Sequence, residues 1–306
     1  MIIVLDEANR YDWTQGKVVY MKQSTRFTPS PHLDTLIDIA LSEDIGCGDA
    51  TTDALIPLGQ QATMMIVARE SLVMCGQPVV DRLIQRFGAS YVKLVWSVSE
   101  GCRVAPGTEL GRFSGLLSEL LVLERTVLNF LQRLSGVATH TQRFVKQLDG
   151  CSSRLVDTRK TLPGYRSLDK YATRVGGAVN HRGSLAGGVL IKDNHLRAAG
   201  GIGPAIAKAR SYASHSLKIE VEVEDEAGLI EALAAGADVI MLDNFSPERV
   251  RAAVEANAGK AILEASGGIN LDNIRDYGST GVDLIAVGSL THSAKAVDIA
   301  AEVLHD

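Results

Sequence analysis

From about residue 154 onward, short apolar runs alternate with segments of helical periodicity. The repeat is about 22 residues long, and strand–helix units of this length predict a parallel sheet covered by helices. Their even spacing favours an α/β barrel over a doubly wound sheet. Because six strands are predicted rather than eight, we expect an open, irregular, TIM-like barrel. The predicted strands are 154–158, 188–192, 217–223, 238–243, 261–266 and 282–288, with helices over 225–235, 246–257 and 270–277.

The first half of the chain has a different pattern, which predicts a smaller α+β sandwich. A helix is expected over 33–42, followed by a loop over 43–52 that is rich in Gly, Asp and Thr. Segments 64–70, 92–98 and 107–115 alternate apolar and polar positions, so they predict a small antiparallel sheet.

A further helix is predicted over 117–134, with leucines on nearly all of its faces. Such a helix is buried on more than one side, as at a domain junction or a subunit interface. The predicted division of the chain is an irregular extension over 1–30, an N-terminal α+β domain over 31–135 joined by a C-terminal helix over 291–306, and the barrel over 136–290.

Composition excludes several classes of protein. The 306 residues are 46% apolar and 22% charged, which is typical of a globular protein, and no apolar stretch is long enough for a transmembrane helix. We expect no secretory signal, because the first residues lack a basic start and a long apolar core. Four scattered cysteines without a CxxC pair indicate reduced thiols. With a net charge of -5 and no basic tail, the sequence predicts a cytoplasmic protein without nucleic-acid or membrane partners.

One segment departs from this acidic balance. Residues 154–197 contain nine Lys or Arg and only three acids, and the segment is rich in Gly and His. A basic island inside an acidic chain suggests a concave pocket for a small ligand with several negative charges, since a nucleic acid requires a basic face across a whole domain.

The ends of the predicted strands are the expected place for chemistry, because α/β barrels carry their active sites at the C-terminal ends of strands. Polar and glycine residues cluster at these ends. They are Thr158, Arg159 and Lys160; Lys192 and His195; Glu220, Glu222 and Glu224; Asp243; Ser266, Gly267 and Gly268; and Gly288 and Ser289.

The third predicted strand carries carboxylates on one face, at Glu220, Glu222 and Glu224. A barrel strand is normally apolar on both faces, and a row of buried carboxylates is costly unless cations meet it. The alternative is an edge strand with one wetted face. We predict that at least one carboxylate, foremost Glu222, is functional.

Glycines at the ends of the last two strands predict a phosphate site. In Ser266-Gly267-Gly268 and Gly288-Ser289, backbone amides can approach a phosphate, helped by the positive end of the following helix. Glu222 and Asp243 lie about one repeat apart and are predicted to bind Mg²⁺, directly or through water. They can equally bind ribose hydroxyls, and Asp243 can instead cap the helix that follows it.

The basic residues complete the expected site. Arg159 and Arg182 can bind carboxylates in a bidentate fork, whereas Lys160 and Lys192 suit phosphates. His181 and His195 can add hydrogen-bond donors. Arg166, Lys170 and Arg174 fall at helical spacing, so we interpret them as a solvated outer stripe and leave them out of the site.

Several motifs together resemble the quinolinate phosphoribosyltransferase family, also called carboxylating nicotinate-nucleotide pyrophosphorylases. The resemblance runs from about residue 33 to the C-terminus. The motifs are EDIGCGDATT (43–52), ER-T-x-LN (124–129), DTRKTLPGYR (157–166), KYA (170–172), GG-x-x-NHR (176–182), LIKDNH (190–195), EVEVE (220–224), IMLDN (240–244) and EASGGI (264–269).

The resemblance implies an enzyme that joins quinolinate to phosphoribosyl pyrophosphate with Mg²⁺ and releases pyrophosphate and CO₂. It implies that Arg159, His181, Arg182 and Lys192 bind the quinolinate carboxylates and that Lys160 and Lys192 lie near the phosphates. It also implies an obligate homodimer, or a higher even oligomer, in which Arg125 of one subunit completes the site of its partner. The sequence departs from the family pattern after Arg182, where Ser184 and Gly187 replace the usual Gly and Asp.

Two alternatives remain open at this point. The first keeps the fold but changes the ligand, as in the phosphoribosyltransferase-like family associated with molybdenum transport or in nicotinate phosphoribosyltransferases. The second is a non-catalytic barrel that binds a phosphorylated metabolite. Release of both CO₂ and pyrophosphate would distinguish a quinolinate phosphoribosyltransferase from both alternatives.

Overall fold

The computed structural model describes residues 27–88 and 92–304 of the chain, so the predicted extension over 1–30 lies almost entirely outside the described residues. The described N-terminal half begins with helices and continues into short strands and one long helix. In order, these elements are α1 (Pro31–Ile45), α2 (Ala50–Leu55), β1 (Gln61–Ala68), β2 (Leu72–Val73), α3 (Gln77–Phe87), β3 (Lys93–Trp96), β4 (Arg103–Val104), β5 (Glu109–Leu116) and α4 (Leu117–Gln147).

The second half alternates strands and helices, as its hydrophobic pattern predicts. Its elements are β6 (Arg154–Val156), α5 (Arg166–Val175), β7 (Val189–Ile191), α6 (Asp193–Ala199), α7 (Ile202–Tyr212), β8 (Ile219–Val223), α8 (Glu226–Ala234), β9 (Val239–Asp243), α9 (Pro247–Asn257), β10 (Ile262–Ser266), α10 (Ile274–Gly278), β11 (Leu284–Ala286), α11 (Ser289–His292) and β12 (Ile299–Val303).

Six parallel strands form the large sheet, in the order β6-β11-β10-β9-β8-β7. All six are the strands that the sequence predicts, so the prediction of an open, irregular α/β barrel beside an N-terminal α+β domain is confirmed. At the free edge of β6, Val156 forms a parallel bridge with Val179. The 179–182 segment therefore extends this edge of the sheet by one short stretch. This edge places residues 180–182 beside the C-terminal end of β6.

The C-terminal helix predicted over 291–306 is wrong. Of the described residues from 289 to 304, only Ser289–His292 is helical. Ile299–Val303 forms β12, which pairs antiparallel with β1 in the sheet β12-β1-β5-β3. The physical reason is the open edge of β1, whose unpaired amides and carbonyls need a partner. Ile299 is buried in this sheet whereas Glu302 is exposed, which is the alternation of a strand.

The loop predicted over 43–52 is also partly wrong. α1 extends through Ile45, and a short helix, α2, begins at Ala50. Asp49 causes this helix to start, because its side chain accepts hydrogen bonds from the amides of Thr51 (3.1 Å) and Thr52 (3.0 Å). The Gly and Asp residues of this segment therefore act as helix stop and start signals.

α4 is longer than predicted and connects the two halves. Its 31 residues carry Leu120, Leu131 and Leu134 into the core of the N-terminal domain, whereas Phe144, near its end, belongs to the core of the barrel. The leucines on all faces are thus explained by burial at a domain junction within one chain. Between residues 27 and 304, leaving out 89–91, no helix is long and apolar enough to cross a membrane. All four cysteines are free thiols.

Candidate active site

A polar cavity of about 550 Å³ opens at the C-terminal ends of the parallel strands. Eleven of the predicted site residues line it: Thr158, Arg159, Lys160, His181, Arg182, Lys192, Glu222, Asp243, Ser266, Gly267 and Gly268. They come from five different strand ends and from the 179–182 segment, as expected of a barrel site. The structure therefore brings together residues that lie more than a hundred positions apart in the chain.

Four predicted residues lie elsewhere. Arg125 is exposed on α4, outside the cavity of its own chain. His195 is exposed as well, and its Nδ1 accepts a hydrogen bond from the amide of Lys192 at 3.0 Å, so it caps the start of α6. Gly288 lies behind the lining residues, where a Cβ would come within 3.1 Å of the Lys160 side chain, and Ser289 begins α11.

Two arginines dominate the basic wall of the cavity. Arg159 and Arg182 are half-buried, and the Nε of each has no hydrogen-bond partner among the described residues. Arg182 donates from Nη1 to the carbonyl of Gly188 at 2.9 Å. Burial and the nearby charge of Arg159 lower the pKa of Arg182. Two unneutralised guanidinium groups side by side are suited to one ligand with two negative charges.

A second wall, at the ends of β8 and β9, is acidic and is separated in the sheet from β6 by β10 and β11. At its edge, Nζ of Lys192 donates to Oε2 of Glu222 at 2.9 Å. Burial raises the pKa of Asp243, and the neighbouring charge of Glu222 raises it further. A divalent cation between these carboxylates would relieve their repulsion, and an all-oxygen set of ligands is what Mg²⁺ prefers. The residues present therefore fit the predicted metal.

Two buried carboxylates lie at the floor: Glu264 lines the cavity, and Glu220 lies behind it, against the ring of His181. Glu264 is 1% exposed, and Glu220 is 7% exposed, and one oxygen of each has no hydrogen-bond partner among the described residues. Burial, followed by the charge of Glu220, raises the pKa of Glu264 to about 8. The row of acids on the third strand signalled Glu220, but the apolar run around Glu264 gave no comparable signal.

His181 lies between these two carboxylates. Its Nε2 is 3.1 Å from Oε2 of Glu220 and 3.8 Å from Oε1 of Glu264, and its Nδ1 accepts a hydrogen bond from the amide of Arg182 at 2.7 Å. Burial lowers the pKa of His181, but the hydrogen bond to Glu220 and the two negative charges outweigh burial and raise it. The amide at Nδ1 opposes this, since an imidazolium has no lone pair there.

The direct hydrogen bond from the Arg182 amide assigns His181 as the neutral tautomer, with its proton on Nε2. The ligand atoms of His181, Glu220 and Glu264 lie within 4.8 Å of one another. With its proton on Nε2, however, His181 cannot bind a metal ion there together with the two carboxylates. A metal on Nε2 would require the proton on Nδ1, where the Arg182 amide already points. A proton held between the carboxyl groups of Glu220 and Glu264 fits this cluster better than a metal ion does.

In the glycine turn after β10, Gly267 packs against Asn244, whereas a Cβ on Gly268 would meet no described atom within 4 Å. Gly267 and Gly268 have φ values of 98° and 64°, and a Cβ on Gly267 would lie 2.2 Å from Oδ1 of Asn244. Only glycine fits at Gly267. The helical part of the prediction is not met, because α10 begins only at Ile274 and α11 is a single turn. The turn therefore offers loop amides, and not the N-terminus of a helix, to the cavity.

The predicted outer stripe is wrong. Lys170 is buried, and Arg166 and Arg174 are half-buried. Arg166 donates to Oγ1 of Thr161 (3.1 Å) and to the carbonyl of Gly183 (3.4 Å), and Arg174 donates to Oδ1 of Asn180 at 2.5 Å. α5 turns these side chains toward the cavity walls, so helical spacing correctly gave their common face but not its direction.

Both halves of the chain match models of one protein family. The quinolinate phosphoribosyl transferase N-terminal domain matches residues 49–135, and the C-terminal domain of the same family matches residues 137–302. The chain belongs to the quinolinate phosphoribosyltransferase family.

The chain aligns over most of its length with individual proteins of known name. It is 42% identical over 272 residues to a probable carboxylating nicotinate-nucleotide pyrophosphorylase of Bacillus subtilis, covering 89% of this chain and 93% of that protein. It is 41% identical over 265 residues to the carboxylating nicotinate-nucleotide pyrophosphorylase of Mycobacterium leprae, covering 85% and 93%. The solved nicotinate-nucleotide pyrophosphorylase of Francisella tularensis superposes with a TM-score of 0.87 at 38% identity, covering 92% of this chain and 99% of that one.

Proposed function

We propose that the protein transfers the phosphoribosyl group of phosphoribosyl pyrophosphate to quinolinate, releasing pyrophosphate and CO₂ and giving nicotinate mononucleotide for NAD biosynthesis. It is then a pentosyltransferase, a carboxylating nicotinate-nucleotide diphosphorylase. The observation that best supports this activity is that Arg159 and Arg182, each with an Nε that has no hydrogen-bond partner among the described residues, line the same cavity as the carboxylates of Glu222 and Asp243. A diacid and a metal-bound sugar phosphate can meet between them.

The basic wall binds the diacid. Arg159 and Arg182 each offer free donors to one carboxylate of quinolinate, and the ring then lies over the floor formed by His181 and Glu264. A charge-assisted hydrogen bond contributes roughly 1.5–3 kcal/mol. Because both nitrogens of His181 already have protein partners, its part is to orient the floor and the amide of Arg182.

The acidic wall and the lysines bind the donor substrate. Glu222 and Asp243 would hold Mg²⁺ and the ribose, and Lys160 and Lys192 would lie beside the phosphates. When bound, Mg²⁺ supplies positive charge to the pyrophosphate leaving group. Ser266, Gly267 and Gly268 offer a loop in which a phosphate can approach the backbone closely.

The reaction depends on stabilising the charges that develop on pyrophosphate and on the pyridine ring, and its first step requires no general base. The bond between the anomeric carbon and pyrophosphate breaks with its electron pair on the leaving oxygen, and the pyridine nitrogen donates its lone pair to that carbon. The nitrogen becomes cationic. As CO₂ leaves, the electron pair of the carbon–carboxylate bond stays on the adjacent ring carbon, where the positive nitrogen stabilises it, and that carbon then takes a proton. Lys160 and Lys192 offset the negative charge on the leaving group.

A second subunit completes the site in this proposal. Arg125 is exposed on α4 and lies outside its own cavity, so it is free to reach the cavity of a partner. The burial of the α4 leucines within one chain gives no further support for a dimer. The homodimer therefore rests on the family resemblance and on the position of Arg125.

The decisive experiment incubates the purified protein with quinolinate, phosphoribosyl pyrophosphate and Mg²⁺ and follows CO₂ and pyrophosphate. We expect both products in equal amounts, and turnover in the Arg159→Ala variant reduced by about tenfold or more through a weaker affinity for quinolinate. Release of pyrophosphate with nicotinate but not with quinolinate would identify a nicotinate phosphoribosyltransferase instead. Ligand binding without pyrophosphate release would identify a binding barrel, and wild-type turnover in Arg159→Ala would refute the carboxylate assignment.

A further inference from the structure

A fully buried carboxylate lies directly behind the basic wall. Asp157 follows the last residue of β6, is 0% exposed and receives four hydrogen bonds. Its Oδ1 accepts from Nζ of Lys170 (2.5 Å) and from the amide of His181 (2.8 Å). Its Oδ2 accepts from Nδ2 of Asn180 (2.6 Å) and from Oγ1 of Thr173 (3.1 Å). Both oxygens are therefore held from two directions.

Lys170 is the charged partner in this arrangement. It is 6% exposed, and its Nζ donates to the carbonyl of His181 at 2.9 Å as well as to Asp157. Burial lowers the pKa of Lys170, and the charge of Asp157 opposes that effect. A buried ion pair of this kind is rigid, because moving either partner would leave an uncompensated charge out of contact with water.

The two backbone segments joined by Asp157 and Lys170 are those that carry the arginines. Arg159 lies two residues after Asp157, and Arg182 directly follows His181, whose amide and carbonyl both bind to the ion pair. The segments also run side by side, since the amide of Asp157 donates to the carbonyl of Val179 at 3.3 Å. The ion pair thus acts on the spacing of the two guanidinium groups.

The guanidinium groups of Arg159 and Arg182 repel each other, so their spacing in the free protein depends on the backbone that carries them. Among the described residues neither Arg159 nor Arg182 pairs with a carboxylate, and the charge of Arg159 disfavours that of Arg182. Two like charges in a half-buried wall repel one another, and an exposed loop would let them separate. A site that is already spaced for a diacid binds it with less loss of entropy.

We propose that Lys170 is a positioning residue, which acts through Asp157 to hold residues 157–160 and 180–182 at the spacing that lets Arg159 and Arg182 bind the two carboxylates of a single diacid. This inference rests on the proposed function, because it concerns the affinity for quinolinate. It assigns to α5 a part in substrate recognition although none of its side chains lines the cavity.

The test compares Lys170→Met with Tyr171→Phe. Methionine keeps the length of the side chain and removes its charge, leaving Asp157 with three neutral donors. Tyr171 is the next residue on the same helix and is equally buried, but its hydroxyl donates to Oε1 of Glu100 in the N-terminal domain at 2.7 Å. Tyr171→Phe therefore removes a buried hydrogen bond from α5 without touching the segments that carry the arginines.

Pyrophosphate release is measured while quinolinate and phosphoribosyl pyrophosphate are varied separately. We expect Lys170→Met to raise KM for quinolinate by about tenfold or more, which corresponds to about 1.4 kcal/mol, with KM for phosphoribosyl pyrophosphate changed by less than about threefold. Tyr171→Phe should leave both KM values within about twofold of wild type. A loss of general stability would instead lower the active fraction and kcat without separating the two substrates.

The inference is overturned if Lys170→Met has a wild-type KM for quinolinate, or if both KM values rise by the same factor. Should Lys170→Met not fold, Lys170→Gln gives the same decision, because glutamine also removes the charge that faces Oδ1 of Asp157 but keeps a neutral hydrogen-bond donor. Lys170→Gln should raise KM for quinolinate alone, by a smaller factor. A wild-type protein that releases neither CO₂ nor pyrophosphate would refute the proposed function, whereas active wild type with unaffected variants would refute only the positioning role.

Discussion

Glu264 illustrates how a single buried carboxyl group makes stability depend on pH. Its pKa is raised from an ordinary 4.5 to about 8, so between these values the folded chain binds a proton that the unfolded chain has lost. The stability that this proton gives is complete below about pH 4.5 and is lost as pH rises through about 8. The slope for one group is at most about 1.4 kcal/mol per pH unit.

We predict that Glu264→Gln removes this slope. The free energy of unfolding of the wild type, measured by denaturant titration, should fall relative to that of Glu264→Gln as pH rises from about 5 to about 8. Glu43→Gln, which removes an exposed carboxylate from α1, should leave the pH dependence of the wild type unchanged. A constant difference between wild type and Glu264→Gln across this range would contradict a raised pKa.

A further prediction concerns Asp243 as a ligand of Mg²⁺. We expect Asp243→Asn to raise the Mg²⁺ concentration needed for half-maximal pyrophosphate release by about tenfold or more, because Mg²⁺ usually binds one or two carboxylates. Removal of Mg²⁺ with a chelator should abolish turnover, and added Mg²⁺ should restore it. The matched control is Glu224→Gln, which removes an exposed negative charge just beyond the end of β8. Equal Mg²⁺ dependence in wild type and Asp243→Asn would refute the metal assignment.

Sequence reasoning predicted the cavity-lining residues whose signal is local to a strand. Arg159, Lys192 and Asp243 come at the end of an apolar run, Glu222 belongs to a row of acids on one strand face, and parallel topology brings such strand ends together. It missed Glu264, since one acid within an apolar strand gives no period, and it misread Lys170. Helical spacing identifies the face that Lys170 shares with Arg166 and Arg174, but only the packing of α5 tells whether that face points to water or to Asp157.

At the scale of elements, α4 packs closely against the segment before β12. A Cβ on Gly136, within α4, would lie 2.2 Å from the backbone carbonyl of Lys295 and 3.1 Å from the Cα of Ala296. The neighbouring atoms are backbone, so they cannot rotate away. Glycine at this position lets β12 approach β1 along α4.

We predict that Gly136→Ala destabilises the protein by roughly 1–3 kcal/mol or more, through overpacking rather than through the helix, in which alanine is the better residue. Thermal unfolding measures this as a lower Tm. The control is Gly183→Ala, where the added Cβ meets no atom within 4 Å among the described residues. A Tm for Gly136→Ala at or above that of the wild type would show that the two elements do not pack as closely as the structure has them.

The elements that the sequence predicted correctly are those whose pattern is local. The six barrel strands are apolar runs bounded by turns, and each was found within a few residues of its observed bounds. The C-terminal strand was not found, because Ile299–Val303 contains two alanines and has no strong strand pattern of its own. Its conformation is decided by the open edge of β1, which lies more than two hundred residues away.

At the scale of the whole molecule, the chain crosses between its domains more than once. α4 leads from the N-terminal sheet into the barrel, and β12 returns from the barrel to complete that sheet. α5 adds a lateral tie, because Asp169 on it accepts from Arg133 of α4 at 2.9 Å while the hydroxyl of Tyr171 donates to Glu100. An arginine on α4, such as Arg125, is therefore carried on a rigid frame, as a residue offered to a second subunit must be.

This arrangement leads to a prediction about shared sites. If Arg125 of one subunit completes the cavity of the other, Arg125→Ala and Arg159→Ala should each keep at most about a tenth of wild-type turnover alone, and a mixed dimer of the two should contain one intact site. Random exchange makes half of the dimers mixed, so the mixture should recover about one quarter of wild-type activity per subunit. The measurement is CO₂ release after co-expression of the two variants with different purification tags.

A mixture of Arg159→Ala with Lys192→Ala provides the control, because both changes lie in the same cavity and every mixed dimer then has two damaged sites. It should stay inactive. Recovery in both mixtures would point to refolding or contamination rather than to shared sites. If Arg125→Ala alone turns over like the wild type, or if its mixture with Arg159→Ala gains nothing, each chain builds its site without its partner, and the exposed arginine on α4 has no part in catalysis.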